Sequence, residues 1–240
     1  MTPLNRFRLE KAAADCGFEL TPRLTPDGAL ELRSAAFPET LWVSVFTEGT
    51  DKFTVRASAA ALFDGMEGDA LNVRGYGELY ATLQRASAVA RTMPNRVADK
   101  FRQVKANLPQ STEAERLVVQ RVGQGLFREA LLDYWQGRCC VTGLSVPSLL
   151  RASHIKPWAK CETDDERLDV FNGLLLAPHV DALFDDGWIS FADDGAVLTS
   201  QVLADETRAL LGVSADWRVD GPKSAHLPYL SFHRQYELRR

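Results

Sequence analysis

Apolar and polar positions follow a regular pattern through the first part of the chain. A short helix is predicted over residues 4–16, and three extended segments follow at residues 30–33, 41–46 and 52–56. The last two segments are rich in β-branched and aromatic residues, and residues 48–51 supply turn-forming side chains between them. This combination predicts a β-hairpin.

A helical pattern replaces the strands over residues 77–107. Pro94 is expected to divide this segment into two helices, because proline breaks a helix interior. Residues 108–113 mark a boundary, since they combine a proline with a serine and a threonine that can cap the next helix. The expected organisation is therefore an N-terminal α+β domain over residues 1–107 and a second domain over residues 108–240.

A long amphipathic helix is predicted at the start of the second domain. Apolar side chains recur every three or four positions over residues 113–135, and Gly137 ends the pattern, so one helix face is expected to pack on the segment that follows. Beyond it the sequence predicts short strands and turns, a short helix near residues 204–211 and an extended C-terminus. The Asp-Gly pair within residues 192–195 predicts a second hairpin, because it supports the positive φ angles of a tight turn.

The composition is that of an ordinary globular protein. Of the 240 residues, 45% are hydrophobic and 25% are charged. No apolar run approaches the roughly 18 residues that a membrane helix needs, and the N-terminus lacks the apolar core of a secretory signal. Four cysteines show no CxxC spacing and two of them are adjacent, which fits neither a disulfide framework nor a zinc cage. We therefore expect reduced thiols, a cytoplasmic protein, no structural zinc and no membrane partner.

The charge balance argues against bulk attraction to nucleic acid. The net charge is −4 at pH 7 and the isoelectric point is about 5.6. Residues 1–105 hold 14 Lys and Arg against 13 Asp and Glu, whereas residues 106–240 hold 14 against 19. Affinity for phosphate must therefore come from local patches or from assembly. The surplus of carboxylates in the second half fits both metal ligands and ordinary solvent-facing side chains.

Four residues of the second domain form a set that suits phosphodiester hydrolysis: His154, Asn172, Asp181 and Asp185. A histidine with an ordinary pKa near 6.5 accepts the proton of an attacking water at neutral pH. Asn172 can hold the imidazole in one tautomer through its side chain or its backbone carbonyl. Asp181 and Asp185 are four positions apart, so on a helix both carboxylates project from one face and can share a cation. Oxygen ligands favour Mg²⁺, with Mn²⁺ second, over zinc.

Four ordered blocks in this region resemble the HNH endonuclease family, in particular the branch found in bacterial restriction-type nucleases. The blocks are residues 140–143 (CVTG), 152–158 (ASHIKPW), 172–176 (NGLLL) and 181–191 (DALFDDGWISF). The resemblance implies a ββα-metal fold, in which two strands carry His154 and Asn172 and the following helix carries Asp181 and Asp185. It further implies that His154 is the general base, that Asn172 is the central asparagine, and that Asp181 replaces the family's usual final histidine.

Two departures from the family pattern affect the expected metal site. Ser153 stands where many members carry an aspartate or histidine ligand, and it is kept here as a third candidate ligand. The CxxC pairs that hold structural zinc in many relatives are absent. The helix over residues 113–135 is therefore expected to brace the motif instead.

Basic side chains near the candidate base are candidates for contacts with DNA. Arg151, Lys156 and Lys160 flank His154 and can reach phosphates, although ordinary solvation of a surface explains them equally well. His179 precedes Asp181 by two residues, so on a regular helix it points about 200° away. We interpret His179 as a helix-start or DNA-facing residue rather than as a metal ligand.

Together these patterns predict a metal-dependent DNA endonuclease with a restriction or defence role, whose N-terminal domain selects the target. No small-molecule cofactor is expected. A homodimer is left open, because one such site cuts one strand. Two alternatives also stay open from the sequence. One is a nucleic-acid-binding protein that keeps the HNH scaffold without cutting, and the other is a partner-gated nuclease in which residues 1–107 form an oligomerisation domain.

Overall fold

The computed structural model describes residues 1–45, 51–63, 70–93, 96–108, 112–219, 222 and 224–240, except for the side chains at positions 113, 114 and 116. Contacts between these residues divide the chain into two compact units, Met1–Arg91 and Thr92–Arg240. The division predicted from the sequence lies further on, after residue 107. The difference is one helix, Arg96–Lys105, which packs against the long helix that follows it.

A five-stranded antiparallel sheet dominates the first unit. Its strands are paired in chain order: β1 (Leu20–Leu24), β2 (Leu30–Arg33), β3 (Leu41–Val45), β4 (Lys52–Ala57) and β5 (Ala70–Arg74). Helices α1 (Pro3–Asp15) and α2 (Gly75–Thr92) and a 3₁₀ turn at Ala60–Phe63 complete the unit. Alternate strand residues are buried, such as Leu30 and Leu32 of β2, because successive side chains of a strand point to opposite faces.

The predicted helix and hairpin of the first unit are confirmed. Thr2 caps α1 by accepting a hydrogen bond from the Asn5 amide at 3.3 Å. Strands β3 and β4 pair in register, with Val43 opposite Val55. The turn is predicted over residues 48–51, of which residues 48–50 lie outside the described residues.

The second unit combines helices with two small antiparallel sheets. Its elements are α3 (Arg96–Lys105), α4 (Glu113–Tyr134), β6 (Arg151–His154), α5 (Asp164–Leu168), β7 (Gly173–Leu176), α6 (Pro178–Asp185), β8 (Ile189–Phe191), β9 (Val197–Thr199), α7 (Asp205–Leu210) and α8 (Leu227–Tyr236). Three 3₁₀ turns cover Trp158–Lys160, Val170–Asn172 and Ser224–His226. The mixed α+β architecture predicted from the sequence is confirmed in both units.

Helix α4 begins and ends as its sequence predicts. Thr112 and Glu115 form a reciprocal capping box, in which each side chain accepts a hydrogen bond from the other residue's backbone amide. After the helix, Gln136 and Gly137 adopt left-handed backbone angles, with φ of 53° and 64°, that turn the chain away. The first apolar positions, Leu117 and Val118, are exposed, so the buried face of α4 starts only at the following residue.

Strands β6 and β7 and helix α6 form a compact ββα element. The two strands are antiparallel, with Arg151 opposite Leu176 and His154 opposite Gly173. Helix α6 packs on β6, and α4 packs on both strands. Gly173 is required at this contact, because a Cβ built there would lie 2.6 Å from Phe127 Cζ and 2.7 Å from Leu131 Cδ1. Helix α4 therefore approaches the strands as closely as side chains permit.

The C-terminal segment follows the sequence prediction only in part. The hairpin of β8 and β9 and the short helix α7 are confirmed. The prediction of an extended C-terminus is wrong, because Leu227–Tyr236 forms α8. Leu230 and His233, about one helical turn apart, are buried where α8 packs against β8. Two buried positions are too few for a recognisable helical period in the sequence.

All four cysteines are buried free thiols, at positions 16, 139, 140 and 161. Cys139 Sγ accepts hydrogen bonds from the amides of Thr142 and Ala177, at 3.3 and 3.2 Å. The Cys140 amide donates to the Leu175 carbonyl at 3.0 Å. The adjacent cysteines thus attach the turn after α4 to β7 and to the start of α6. Among the described residues, no helix is both long and apolar enough to cross a membrane.

Candidate active site

His154 ends β6 and is held on several sides. Its Nε2 lies 2.8 Å from the Arg167 carbonyl oxygen. The Phe127 ring of α4 stacks on the imidazole with 3.9 Å between centroids and 14° between planes. Trp158 meets it edge to face at 5.6 Å. Burial lowers the pKa of His154 to about 4, against the opposing effect of the Arg167 carbonyl. The imidazole is therefore neutral at physiological pH.

The hydrogen bond to Arg167 assigns the tautomer of His154. A carbonyl oxygen only accepts, so Nε2 must carry the proton and donate it. In a neutral ring this leaves Nδ1 with an unprotonated lone pair. Nδ1 makes no hydrogen bond to the described part of the chain. His154 therefore has one nitrogen fixed by the fold and one available as a proton acceptor.

Asn172 does not hold the imidazole, which corrects one expectation from the sequence. The carbonyl that binds His154 comes from Arg167, thirteen positions along the chain. Asn172 ends a 3₁₀ turn directly before β7 rather than lying within the strand, and its backbone carbonyl accepts from the Ile155 amide at 3.0 Å. Its position beside His154 is thus as expected, but its contacts differ.

The side chain of Asn172 is fully buried and spans the loop between β6 and β7. Its Oδ1 accepts from the Lys156 amide at 2.7 Å. Its Nδ2 donates toward the carbonyls of Lys156 at 3.2 Å and Glu166 at 3.1 Å, and lies 3.4 Å from Cys161 Sγ. Asn172 thus joins the start of the loop to its end. Glu166 directly precedes Arg167, the residue whose carbonyl binds His154.

Asp181, Asp185 and Ser153 lie together where α6 packs on β6. Burial raises the pKa of Asp181 and the charge of Asp185 adds to this rise, while Ser153 and Arg151 oppose it. Asp181 is half-buried and Asp185 is exposed. The Ser153 hydroxyl is buried beside the Asp181 carboxylate, yet its Oγ makes no hydrogen bond of regular geometry within the described residues.

These three oxygen donors fit a hard divalent cation. Two carboxylates that repel each other, beside a buried hydroxyl that makes no regular hydrogen bond among the described residues, form a group that a cation would satisfy. Within the described ranges, no three His, Cys, Asp or Glu side chains converge on one point. The candidate ligands among the described residues are therefore the oxygens of Ser153, Asp181 and Asp185.

The basic residues near the site differ in their availability. Lys156 pairs with Glu166 at 2.5 Å and Lys160 pairs with Glu237 at 2.6 Å. Arg151 is exposed on β6, close enough to Asp181 to influence that carboxyl group. His179 is exposed on α6 and lies 5.6 Å from the Trp217 ring. Of these candidates, Arg151 is thus the one that lies open beside the acidic group.

Residues 139–192 match the model of the HNH endonuclease family, HNH_2. The matched segment contains β6, β7 and α6, and it includes all four sequence blocks that resemble this family. The resemblance to the HNH endonuclease family is therefore confirmed, and the chain carries an HNH domain after an N-terminal domain. A search of curated proteins found no match to the sequence. An HNH endonuclease domain indicates nuclease activity, with nucleic acid as the substrate.

Two features of the site could not be identified from sequence. The Arg167 carbonyl is a backbone acceptor, and no residue pattern marks which carbonyl a distant histidine will reach. Phe127 belongs to the apolar face of α4, and its position in the sequence pattern does not distinguish it from other core residues. The only signal for Phe127 is its place in a helix that was expected to brace the motif.

Proposed function

We propose that this protein is a metal-dependent DNA endonuclease in which His154 is the general base. The supporting observation is the bond from His154 Nε2 to the Arg167 carbonyl, which leaves Nδ1 to accept a proton. Because burial lowers the pKa of the imidazole to about 4, the base is unprotonated at neutral pH. Nδ1 would take the proton from the water that attacks phosphorus.

Asp181, Asp185 and Ser153 would hold the divalent ion, Mg²⁺ first and Mn²⁺ second. When bound, such an ion neutralises charge on the phosphate and on the leaving oxygen. Asp181 is the better placed carboxylate, because it is half-buried and adjoins the Ser153 hydroxyl. Asn172 would act on the reaction indirectly, by holding the loop that orients the base.

Arg151 is the best candidate for a contact with the DNA backbone. It is exposed on the same strand as the base and faces no carboxylate at ion-pair distance among the described residues. Lys156 and Lys160 would have to exchange their ion pairs with Glu166 and Glu237 for a phosphate. Removing Arg151 should therefore weaken DNA binding more than removing Lys160, and should lower the dependence of binding on salt.

A restriction or defence role, with target selection by the N-terminal unit, is the setting we propose for this activity. It is supported by the arrangement of a separate sheet domain before the HNH domain. The proposal is tested with the full chain, by comparing cleavage of duplexes with modified and unmodified bases. Equal cleavage of every duplex tested would contradict target selection.

The main alternative is a binding protein that keeps the HNH scaffold without cutting. Its support is the net charge of −4 and Ser153, which stands where many family members carry a metal ligand. A partner-gated nuclease, with an oligomerisation domain in the first unit, is the other alternative. Measuring the size of the intact chain in solution shows whether it is an oligomer, as the partner-gated alternative expects. A nicking assay shows whether the protein cuts DNA, which the binding-protein alternative excludes.

Nicking of a supercoiled plasmid tests the proposal. The wild type should nick with Mg²⁺ and stop when the ion is chelated. Asp181→Asn should need about tenfold or more Mg²⁺ for the same rate, because metal sites weaken by such factors when their ligand shell is disturbed. Asp205→Asn, an exposed acid on α7, is the matched control and should behave as wild type. Nicking that persists in the chelator would rule out the metal.

A further inference from the structure

The loop between β6 and β7 is closed by the guanidinium of Arg167. Its Nη2 donates to the Cys161 carbonyl at 2.5 Å and its Nε donates to the Trp158 carbonyl at 3.3 Å. Its Nη1 pairs with Asp164 at 3.1 Å. One planar side chain therefore binds three acceptors in the same loop, which a point charge such as lysine cannot reproduce.

Arg167 is connected to His154 in two ways, one direct and one through Trp158. Its backbone carbonyl accepts the proton of His154 Nε2 at 2.8 Å. Its guanidinium carbon lies 5.8 Å from the centre of the Trp158 ring, and that ring meets His154 edge to face. The guanidinium therefore adjoins Trp158, one of the two rings that pack against His154.

The guanidinium of Arg167 and its three acceptors form a clamp, and this clamp is supported from α3. Asp164, the carboxylate partner of Arg167, also accepts from Lys105 at 2.7 Å. Arg102 of the same helix pairs with Asp165 at 2.8 Å. Because both links join α3 to α5, the carboxylate that orients the guanidinium is fixed from a second element. The Arg167 side chain is three-quarters buried, so it is held in this arrangement and not merely resting on the surface.

We infer that Arg167 is a positioning residue for His154, because its side chain fixes its own carbonyl as the acceptor for Nε2–H. The inference rests on the proposed function only where it concerns the rate of cutting. The hydrogen bond itself is a property of the folded chain. Loss of the clamp would free the carbonyl, expose the Nε2 proton to water and loosen the orientation of Nδ1.

The test uses the full-length protein, with NMR of the histidine ring protons and single-turnover nicking of plasmid DNA. Arg167→Met keeps the length of the stem and removes the fork. We expect the Nε2 proton of His154 to exchange with water about tenfold faster or more. The single-turnover rate constant at saturating protein should fall by about 10-fold to 100-fold, with the protein concentration that gives half of the maximal rate little changed. Arg208→Met is the matched control, since Arg208 pairs with Asp205 three positions earlier on exposed α7, and it should change neither readout.

A folded Arg167→Met protein that keeps wild-type exchange at Nε2 would overturn the inference. If this variant does not fold, Arg167→Lys decides in the same way. If neither folds, Arg167 is an anchor of the fold and the positioning role is rejected. A wild type that does not nick DNA would refute the proposed function, while the exchange measurement would still decide the role of Arg167.

Discussion

The ring of Phe127 lies flat against the ring of His154, 3.9 Å away between centroids. One ring belongs to α4 and the other ends β6, so the position of the helix sets the position of the candidate base. The helix is kept close by Gly173, whose missing side chain leaves room for Phe127 and Leu131. The packing of the domain and the chemistry of the site are thus connected through one glycine.

Gly173→Ala should destabilise the second unit by about 1–3 kcal/mol, because the added methyl would overpack this contact. The new carbon would start 2.6 Å from Phe127 Cζ, so the stacked ring must move. Urea unfolding measures the change. Gly125→Ala is the control on α4, where nothing lies within 4 Å of the added carbon. It should leave stability equal or raise it by about 0.5–1 kcal/mol. Equal effects of both substitutions would contradict the packing account.

Asn172→Asp should destabilise the protein although it preserves shape. The new carboxylate keeps an acceptor for the Lys156 amide but replaces the donor that faces two carbonyls. An unsatisfied buried group costs about 1–3 kcal/mol, and more when it is charged. We therefore expect a loss of at least about 2 kcal/mol in urea unfolding at pH 7. Thr54→Val, which alters an exposed hydrogen bond in β4, is the comparison and should cost less.

The fold of the HNH domain could be predicted from the sequence in good part. His154 and Asp181 sit on a strand and a helix as expected, because the four blocks carry information about local structure. The contacts of Asn172 could not be predicted, since they depend on how a long loop returns to its start. The ion pair between Lys156 and Glu166 could not be predicted either, because it depends on the path of the same loop.

Stability should fall as the pH is lowered, in part because of His233. Burial against Phe184 lowers the pKa of this imidazole to about 4, so the folded state binds fewer protons than the unfolded state between pH 4 and 6.5. The stability that His233 contributes is therefore fully present above the pKa that it has in the unfolded chain. It is lost as the pH falls toward the pKa of His233 in the folded protein. Between pH 7 and 5 the loss from this group should be on the order of 2 kcal/mol.

His233→Gln is the variant that isolates this effect. Its free energy of unfolding should change less between pH 7 and pH 5 than that of the wild type, even if it is less stable at both. His179→Gln, at an exposed position, is the control and should keep the wild-type difference. A variant and wild type with the same pH dependence would show that His233 does not contribute.

The central claim is that His154 accepts the proton of the attacking water. Single-turnover nicking of a supercoiled plasmid with Mg²⁺ tests it most directly, with wild type, His154→Ala and His179→Ala compared at saturating protein. We predict that His154→Ala loses about 10²–10⁴ in rate while binding DNA as before, and that His179→Ala stays close to wild type. Equal rates for wild type and a folded His154→Ala protein would contradict the mechanism.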